Sequence, residues 1–226
     1  MRALKIMFFL ALMQPLIAQA NIVAFPTRII FDSESVAQTV TLKNNGKRVF
    51  LASATFNGNG SEHFAITPPL VRIDAGDKTQ LRIRATDTLS LPLDRESVFY
   101  YVVTMIAGDD RPDPQTSRVA VATRYWFKLF YRPTGIGRPA SNSCDLIFTI
   151  KNSGLYAVNN TPFYTTLFSL AINGQRIELA PDAAMIAPHA SQLVSHVDKV
   201  SQVEWARIND FGGSEKKCLF SFTDNK

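Results

Sequence analysis

The 226-residue chain is poor in the side chains that hold metals, with two cysteines and three histidines. No pair among Cys144, Cys218, His63, His189 and His196 has ligand spacing such as C-x-x-C or H-x-x-x-H, so no metal centre is expected. Eleven glycines and 12 prolines are scattered, and nothing recurs with a period of 20 to 50 residues. Collagen-like, solenoid and low-complexity architectures are thereby excluded. The longest apolar run near the start, Ile6–Met13, is far short of the roughly 20 residues of a membrane-spanning helix. No later stretch approaches that length without a charge or a proline, so the protein is not expected to be membrane-embedded. Charged residues make up only 19%, and the formal net charge is +5. Arg2 and Lys5 supply two of those positive charges, and what remains is too small an excess to imply a nucleic-acid partner. Asn57-Gly58-Asn59-Gly60 lacks the lysine and the following helix of a phosphate loop and reads as a turn.

What is present begins with a leader. Arg2 and Lys5 precede the apolar run, and Ala18-Gln19-Ala20 has the small-x-small form of a cleavage site. A secretory signal peptide over residues 1–20 is expected, cleaved after Ala20. Export exposes Cys144 and Cys218 to oxidising conditions, so the two are expected to pair across 74 positions.

With 46% hydrophobic residues the rest of the chain can close real cores. From Ile22 onward the apolar pattern has period two or forms short β-branched and aromatic runs, punctuated by turn residues. That is the pattern of all-β sandwiches. Seven strands are expected in a first unit: Ile22–Phe31, Ala37–Asn44, Arg48–Phe56, Leu70–Ile73, Thr79–Ala85, Val98–Ala107 and Arg118–Arg132. Two prolines, two glycines and two serines between Pro133 and Ser143 then break the pattern, as a linker does. About seven more strands follow over Asp145–Asp224. The organisation expected is a first domain over 21–133, a linker over 134–142 and a second domain over 143–226.

Residues for covalent chemistry are scarce. Ser191, Ser195, His189 and His196 lie near Asp198, without a G-x-S-x-G elbow, and alternate as solvent-facing strand positions do. Asp109, Asp110 and Asp113 fall in a polar loop. Enzymatic activity is not expected. A secreted adhesive or carbohydrate-binding module of two sandwiches is the alternative; it would carry an aromatic platform on a solvent face.

One segment resists the ordinary reading. Arg118–Arg132 runs for 15 residues, against the usual five or six of a strand, and ends in a block rich in aromatics. Two readings stay open: a central strand buried on both sides, or an edge strand that offers its backbone and Val119, Val121 and Thr123 to something else. Lys128 has the opposite parity, and regular alternation puts it on the other face.

Six stretches together resemble the periplasmic chaperones of the chaperone–usher pilus pathway. They are Thr27-Arg28-Ile29-Ile30, Ile66-Thr67-Pro68-Pro69-Leu70, Leu91-Pro92-Leu93-Asp94-Arg95-Glu96-Ser97, Lys128-Leu129-Phe130-Tyr131-Arg132-Pro133, Asn160-Thr161-Pro162-Phe163-Tyr164 and Ile208-Asn209-Asp210-Phe211-Gly212-Gly213. They occur in the family's order and span essentially the whole mature chain. The resemblance implies two immunoglobulin-like β-sandwich domains in a boomerang arrangement, located in the periplasm. Their task would be to bind and stabilise pilus or fimbrial subunits by donor-strand complementation and deliver them to an outer-membrane usher, with no cofactor. It further implies that Val119, Val121 and Thr123 are donor residues, Thr123 being smaller and more polar than the aliphatic residue usual there. Arg28 and Lys128 would grip a subunit's C-terminal carboxylate, and Glu96, Arg132 and Asp210 would form an ion network joining the domains. The absence of cysteine between Ala107 and Arg132 and the loop of about ten residues from Gly108 to Ser117 fit the subgroup that serves rod-like pili.

Overall fold

The computed structural model describes residues 22–108, 121–197 and 199–222. The expected leader, the loop aspartates Asp109, Asp110 and Asp113, the donor candidate Val119, and Asp198 lie outside the described residues.

The first sandwich packs two sheets. One has the order β1 (Ile22–Phe25), β3 (Gln38–Asn44), β7 (Lys78–Ala85), β5 (Phe64–Thr67). The other has the order β2 (Arg28–Asp32), β9 (Ala122–Arg132), β8 (Ser97–Ala107), β4 (Phe50–Asn57), β6 (Leu70–Ile73). Alternation builds the core between them: Val40, Leu42, Leu81 and Ile83 from one sheet meet Ile29, Phe31, Tyr101, Val103 and Leu129 from the other, each no more than 2% exposed. Burying a side chain of this size contributes about 1.5–3 kcal/mol. A single helical turn, Gly60–His63, follows the Asn57–Gly58 turn.

Among the described residues nine strands form where seven are expected: β5 (Phe64–Thr67) has no counterpart among the seven, and Pro26 splits one of them. Lacking an N–H, it cannot continue a ladder, so the expected strand Ile22–Phe31 breaks in two. Its first half, β1, pairs antiparallel with β3 in one sheet. Its second half, β2, crosses to the other sheet and pairs parallel with β9, Arg28 lying opposite Lys128.

The second sandwich repeats the plan. A three-stranded sheet of β10 (Leu146–Lys151), β11 (Gly154–Asn159) and β15 (Ala190–His196) faces β13 (Gln175–Ile177), β12 (Thr165–Ile172), β16 (Gln202–Arg207) and β17 (Cys218–Ser221). A short β14 (Met185–Ile186) also pairs with β12. Phe148, Leu155, Val203 and Trp205 fill the centre. Cys144 and Cys218 are bonded with their Cα atoms 5.7 Å apart, an ordinary span for a disulfide, tying the approach to β10 to the first residue of β17.

Both sandwiches close the same corner with a fully buried asparagine. At the end of β3, the Asn44 amide donates to the carbonyls of Arg48 at 2.7 Å, Ile73 at 3.3 Å and Asp74 at 3.0 Å, while its oxygen accepts from Gly46 N–H. At the end of β11, Asn159 donates to Phe163, Ile186 and Ala187 and accepts from Thr161 N–H. A buried amide is tolerated here because its donors and its acceptor are satisfied.

Candidate functional site

The site is built on β9. Its ladder with β8 runs from Ala122 opposite Ile106 to Tyr131 opposite Ser97 without a register shift, so the side chains alternate strictly. On its other side β9 meets β2 only from Lys128 to Arg132. Among the described residues the two open readings each hold for one half: residues 128–132 form a central strand, and residues 122–127 form an open edge.

The odd-numbered row makes the consequence plain. Tyr131, Leu129 and Phe127 belong to the core of the first sandwich. Further up the same row, Tyr125 is 38% exposed, Thr123 is exposed and Val121 is 70% exposed. Thr123 lies opposite Met105, which is itself only 2% exposed, so the row continues past the point where its own sandwich can cover it. Among the described residues no strand pairs with this half of β9 on that side, because β1 lies in the facing sheet and only β2 crosses to β9. An apolar cleft lined by Ile22, Ala24, Met105, Tyr125 and Phe127 marks the gap.

The even-numbered row faces the second domain. Here Lys128, Phe130 and Arg132 alternate with the core residues, as parity requires, and no bulge intervenes. Arg28, in register beside Lys128, stacks its guanidinium over the Phe130 ring at 3.8 Å and donates to Thr166 Oγ1 at 3.4 Å. The Phe130 ring in turn meets Tyr164 of the second domain. Among the described residues the buried Arg28 Nε has no hydrogen-bond partner, and Lys128 makes no ion pair. Burial holds the Arg28 guanidinium below its ordinary value despite the carboxylates of Glu96 and Asp210 nearby. Burial, then the charge of Arg28, holds the Lys128 ammonium down as well. Two desolvated cations side by side, one with an unsatisfied donor, form a site that favours an anion.

Beneath them lies the ion network. Arg132 donates through Nε and Nη2 to Glu96 Oε1 at 2.8 and 2.7 Å, and through Nη1 and Nη2 to Asp210 at 2.8 and 3.1 Å. The Arg132 and Glu96 side chains are 3% and 0% exposed, and Asp210 is 28% exposed. Burial lowers the Arg132 value, but its bonds to Asp210 and Glu96 outweigh this and raise it overall. Glu96 also bridges the domains directly: its N–H donates to Pro162 O at 2.9 Å and its Oε2 accepts from Tyr164 N–H at 2.7 Å. Asp210 reaches Arg132 from a loop whose Gly212 has a φ of +85°, a conformation open to glycine, and which passes close to Thr27. Five of the six stretches that carry the family resemblance thus meet at this junction. The sixth, Ile66–Leu70, lies away from it, at the turn between β5 and β6.

A second charged cluster was not anticipated from the sequence. Arg207, 8% exposed, donates Nε to Glu215 at 2.8 Å, lies 3.7 Å from Asp145 and donates to the carbonyl of Ala140 in the linker. Glu215 also accepts from Asn142 N–H at 2.9 Å, and Asn142 Oδ1 accepts from Lys216 N–H at 3.1 Å. The linker is thereby stitched to the second domain. The only sequence signal was Arg207 ending a run with apolar Ala206 and Trp205, where a solvated cation is not expected. Ser191, Ser195 and His196 lie on β15 and His189 just before it; Ser195 Oγ donates to the carbonyl of His196.

Comparison with known proteins agrees with this architecture. Residues 21–137 match the model of the family described as "Pili and flagellar-assembly chaperone, PapD N-terminal domain", and residues 143–219 match "Pili assembly chaperone PapD, C-terminal domain". The chain is 33% identical to Chaperone protein FimB/FhaD of Bordetella pertussis, over 87% of this chain and 86% of that one. It is 31% identical to Chaperone protein PapD of Escherichia coli, over 83% and 81% of the two chains. The crystal structure of the YadV chaperone superposes with a TM-score of 0.73 at 30% identity, covering 89% of this chain and 100% of that one. With two immunoglobulin-like domains and both halves matched, this chain belongs to the PapD family of pilus-assembly chaperones.

Proposed function

We propose that the mature chain, beginning after Ala20, works in the periplasm, where it captures pilus or fimbrial subunits on the open half of β9 and passes them to an outer-membrane usher. The observation that carries this reading is the coincidence of a strand edge left unpaired among the described residues with two partly buried cations, neither ion-paired with a described residue, at the point where that edge ends. Backbone pairing along an edge supplies affinity, and alternate side chains supply selectivity; donor-strand complementation of pilins is a known instance of this mode. Val119, Val121 and Thr123 are the donor residues of this reading, and Arg28 with Lys128 hold the subunit's terminal carboxylate.

The direction of the added strand follows from the same placement. Its carboxylate lies at Lys128 and its preceding residues lie beside Phe127 to Ala122, so it runs parallel to β9 and in line with β2. The Glu96–Arg132–Asp210 network fixes the second domain, placing Thr166 and Tyr164 as the far wall of the carboxylate site. Domains over 21–133 and 143–226, joined by the linker at 134–142, are the units of this reading. Capture forms and breaks no covalent bond, so the reading uses no catalytic residue and no cofactor.

Arg28→Ala and Lys128→Ala, each co-expressed with a cognate subunit, test it. Both variants are expected to accumulate as folded protein while subunit recovery collapses. Unimpaired recovery with both would place the anchor elsewhere.

A further inference from the structure

The outward face of the sheet β1-β3-β7-β5 carries a charge pattern that subunit capture does not use. Lys43 on β3 and Lys78, Arg82 and Arg84 on β7 all point outward and are exposed. None of the four strands contains an Asp or a Glu at any position. None of the four cations makes an ion pair with a described residue. Register places Lys43 directly opposite Lys78, and like charges facing each other across an antiparallel pair are destabilising. Without the leader's Arg2 and Lys5 the chain's net charge is +3, so this one face, at +4, carries more than the whole excess.

The apolar residues of the same face lie at its edge. Val23 and Phe25 on β1 are 44% and 69% exposed and point outward, Val23 beside Lys43 and Phe25 beside Thr41. Protein–protein interfaces have the reverse anatomy, with apolar residues at the centre and charges at the rim. A central band of cations with an exposed aromatic at its margin instead matches a surface of mobile anionic head groups, where cations meet phosphates and the aromatic enters the interfacial region. We propose that this face docks reversibly on a bilayer containing anionic phospholipid, independently of subunit capture.

The mature protein, leader removed, is to be sedimented with vesicles of phosphatidylcholine alone and with vesicles containing phosphatidylglycerol. Binding is expected only to the anionic vesicles and is expected to fall steeply with added salt. Each cation removed is expected to weaken binding about fivefold, so Lys43→Gln with Lys78→Gln loses about twenty-fivefold. Phe25→Ser is expected to weaken it further, whereas Lys151→Gln with Lys199→Gln on the second domain leaves it unchanged. Circular dichroism and melting of each variant, all altered at outward positions, verify folding. Absence of binding to anionic vesicles at low ionic strength overturns the proposal. So does equal binding to phosphatidylcholine, equal loss in the second-domain control, or displacement from vesicles by soluble polyglutamate at matched charge concentration, which would assign the face to an acidic polypeptide.

Discussion

Arg28 and Lys128 sit in register on adjacent strands; burial lowers both, the nearby charges of Glu96 and Asp210 only partly offset it at Arg28, and neither cation forms an ion pair with a described residue. Removing either cation should cost a subunit about 1.5–3 kcal/mol of charge-assisted bonding, a tenfold to hundredfold loss of affinity measurable by titration calorimetry. The empty site should change little in stability, because deleting one of two like charges relieves repulsion. A pH dependence follows. Lys128 must be protonated to hold a carboxylate, and its value in the free protein lies below the ordinary lysine value of 10.5. A bound carboxylate raises it again, so binding takes up protons on the alkaline side. Affinity should therefore fall as pH rises through a range below that ordinary value, and Lys128→Met should abolish the dependence. The free protein should respond with the opposite sign, gaining stability as Lys128 discharges. In the sequence these two residues were two cations among 24, distinguishable only by family resemblance. Neither pairing nor burial could be read there, because both depend on β2 crossing sheets to lie beside β9.

At the scale of the element, β9 serves two purposes, and the aromatic block shows where they divide. Below Phe127 its odd row fills its own core; above it the row is uncovered. Val121→Asp should thus abolish subunit capture while the free protein keeps its melting temperature, because a charge at a 70% exposed position remains in water. Phe127→Asp, two turns of the pleat from Thr123, should instead prevent folding. Soluble expression of both variants is the measurement; an insoluble Val121→Asp would make that position core. The length and alternation of this strand were legible in the sequence, and so was the parity that sends Lys128 to the other face. The division between edge and centre was not, because it is set by Pro26, some 100 residues away. The Arg207–Glu215 clamp was equally hidden. Arg207→Leu should accelerate hydrogen exchange at Asn142, whose N–H it indirectly holds through Glu215, while leaving β16 protected.

For the whole molecule the question is what fixes one sandwich against the other. Glu96 and Arg132 form a buried pair, and removing one partner of such a pair typically costs about 3–5 kcal/mol because the other charge is stranded. Asp210 is partly hydrated, so Asp210→Asn should cost less than Glu96→Gln, an order that chemical denaturation can check. Reducing the disulfide should remove about 4 kcal/mol in the chain-entropy estimate for a 74-residue separation, confined to the second sandwich. Two sandwiches and the cysteine pair could be read from period and composition alone. The junction could not: its contacts join residues 96, 132, 164 and 210, each of which alone reads as an ordinary charged or aromatic strand position. The central claim is that a subunit strand completes the open half of β9. Hydrogen exchange of the protein with and without bound subunit tests it most directly. The account predicts that edge amides within Ala122–Phe127 exchange rapidly in the free protein and become strongly protected in the complex, while those of Leu129–Arg132 hardly change. A stable complex in which the Ala122–Phe127 amides exchange as in the free protein would contradict it.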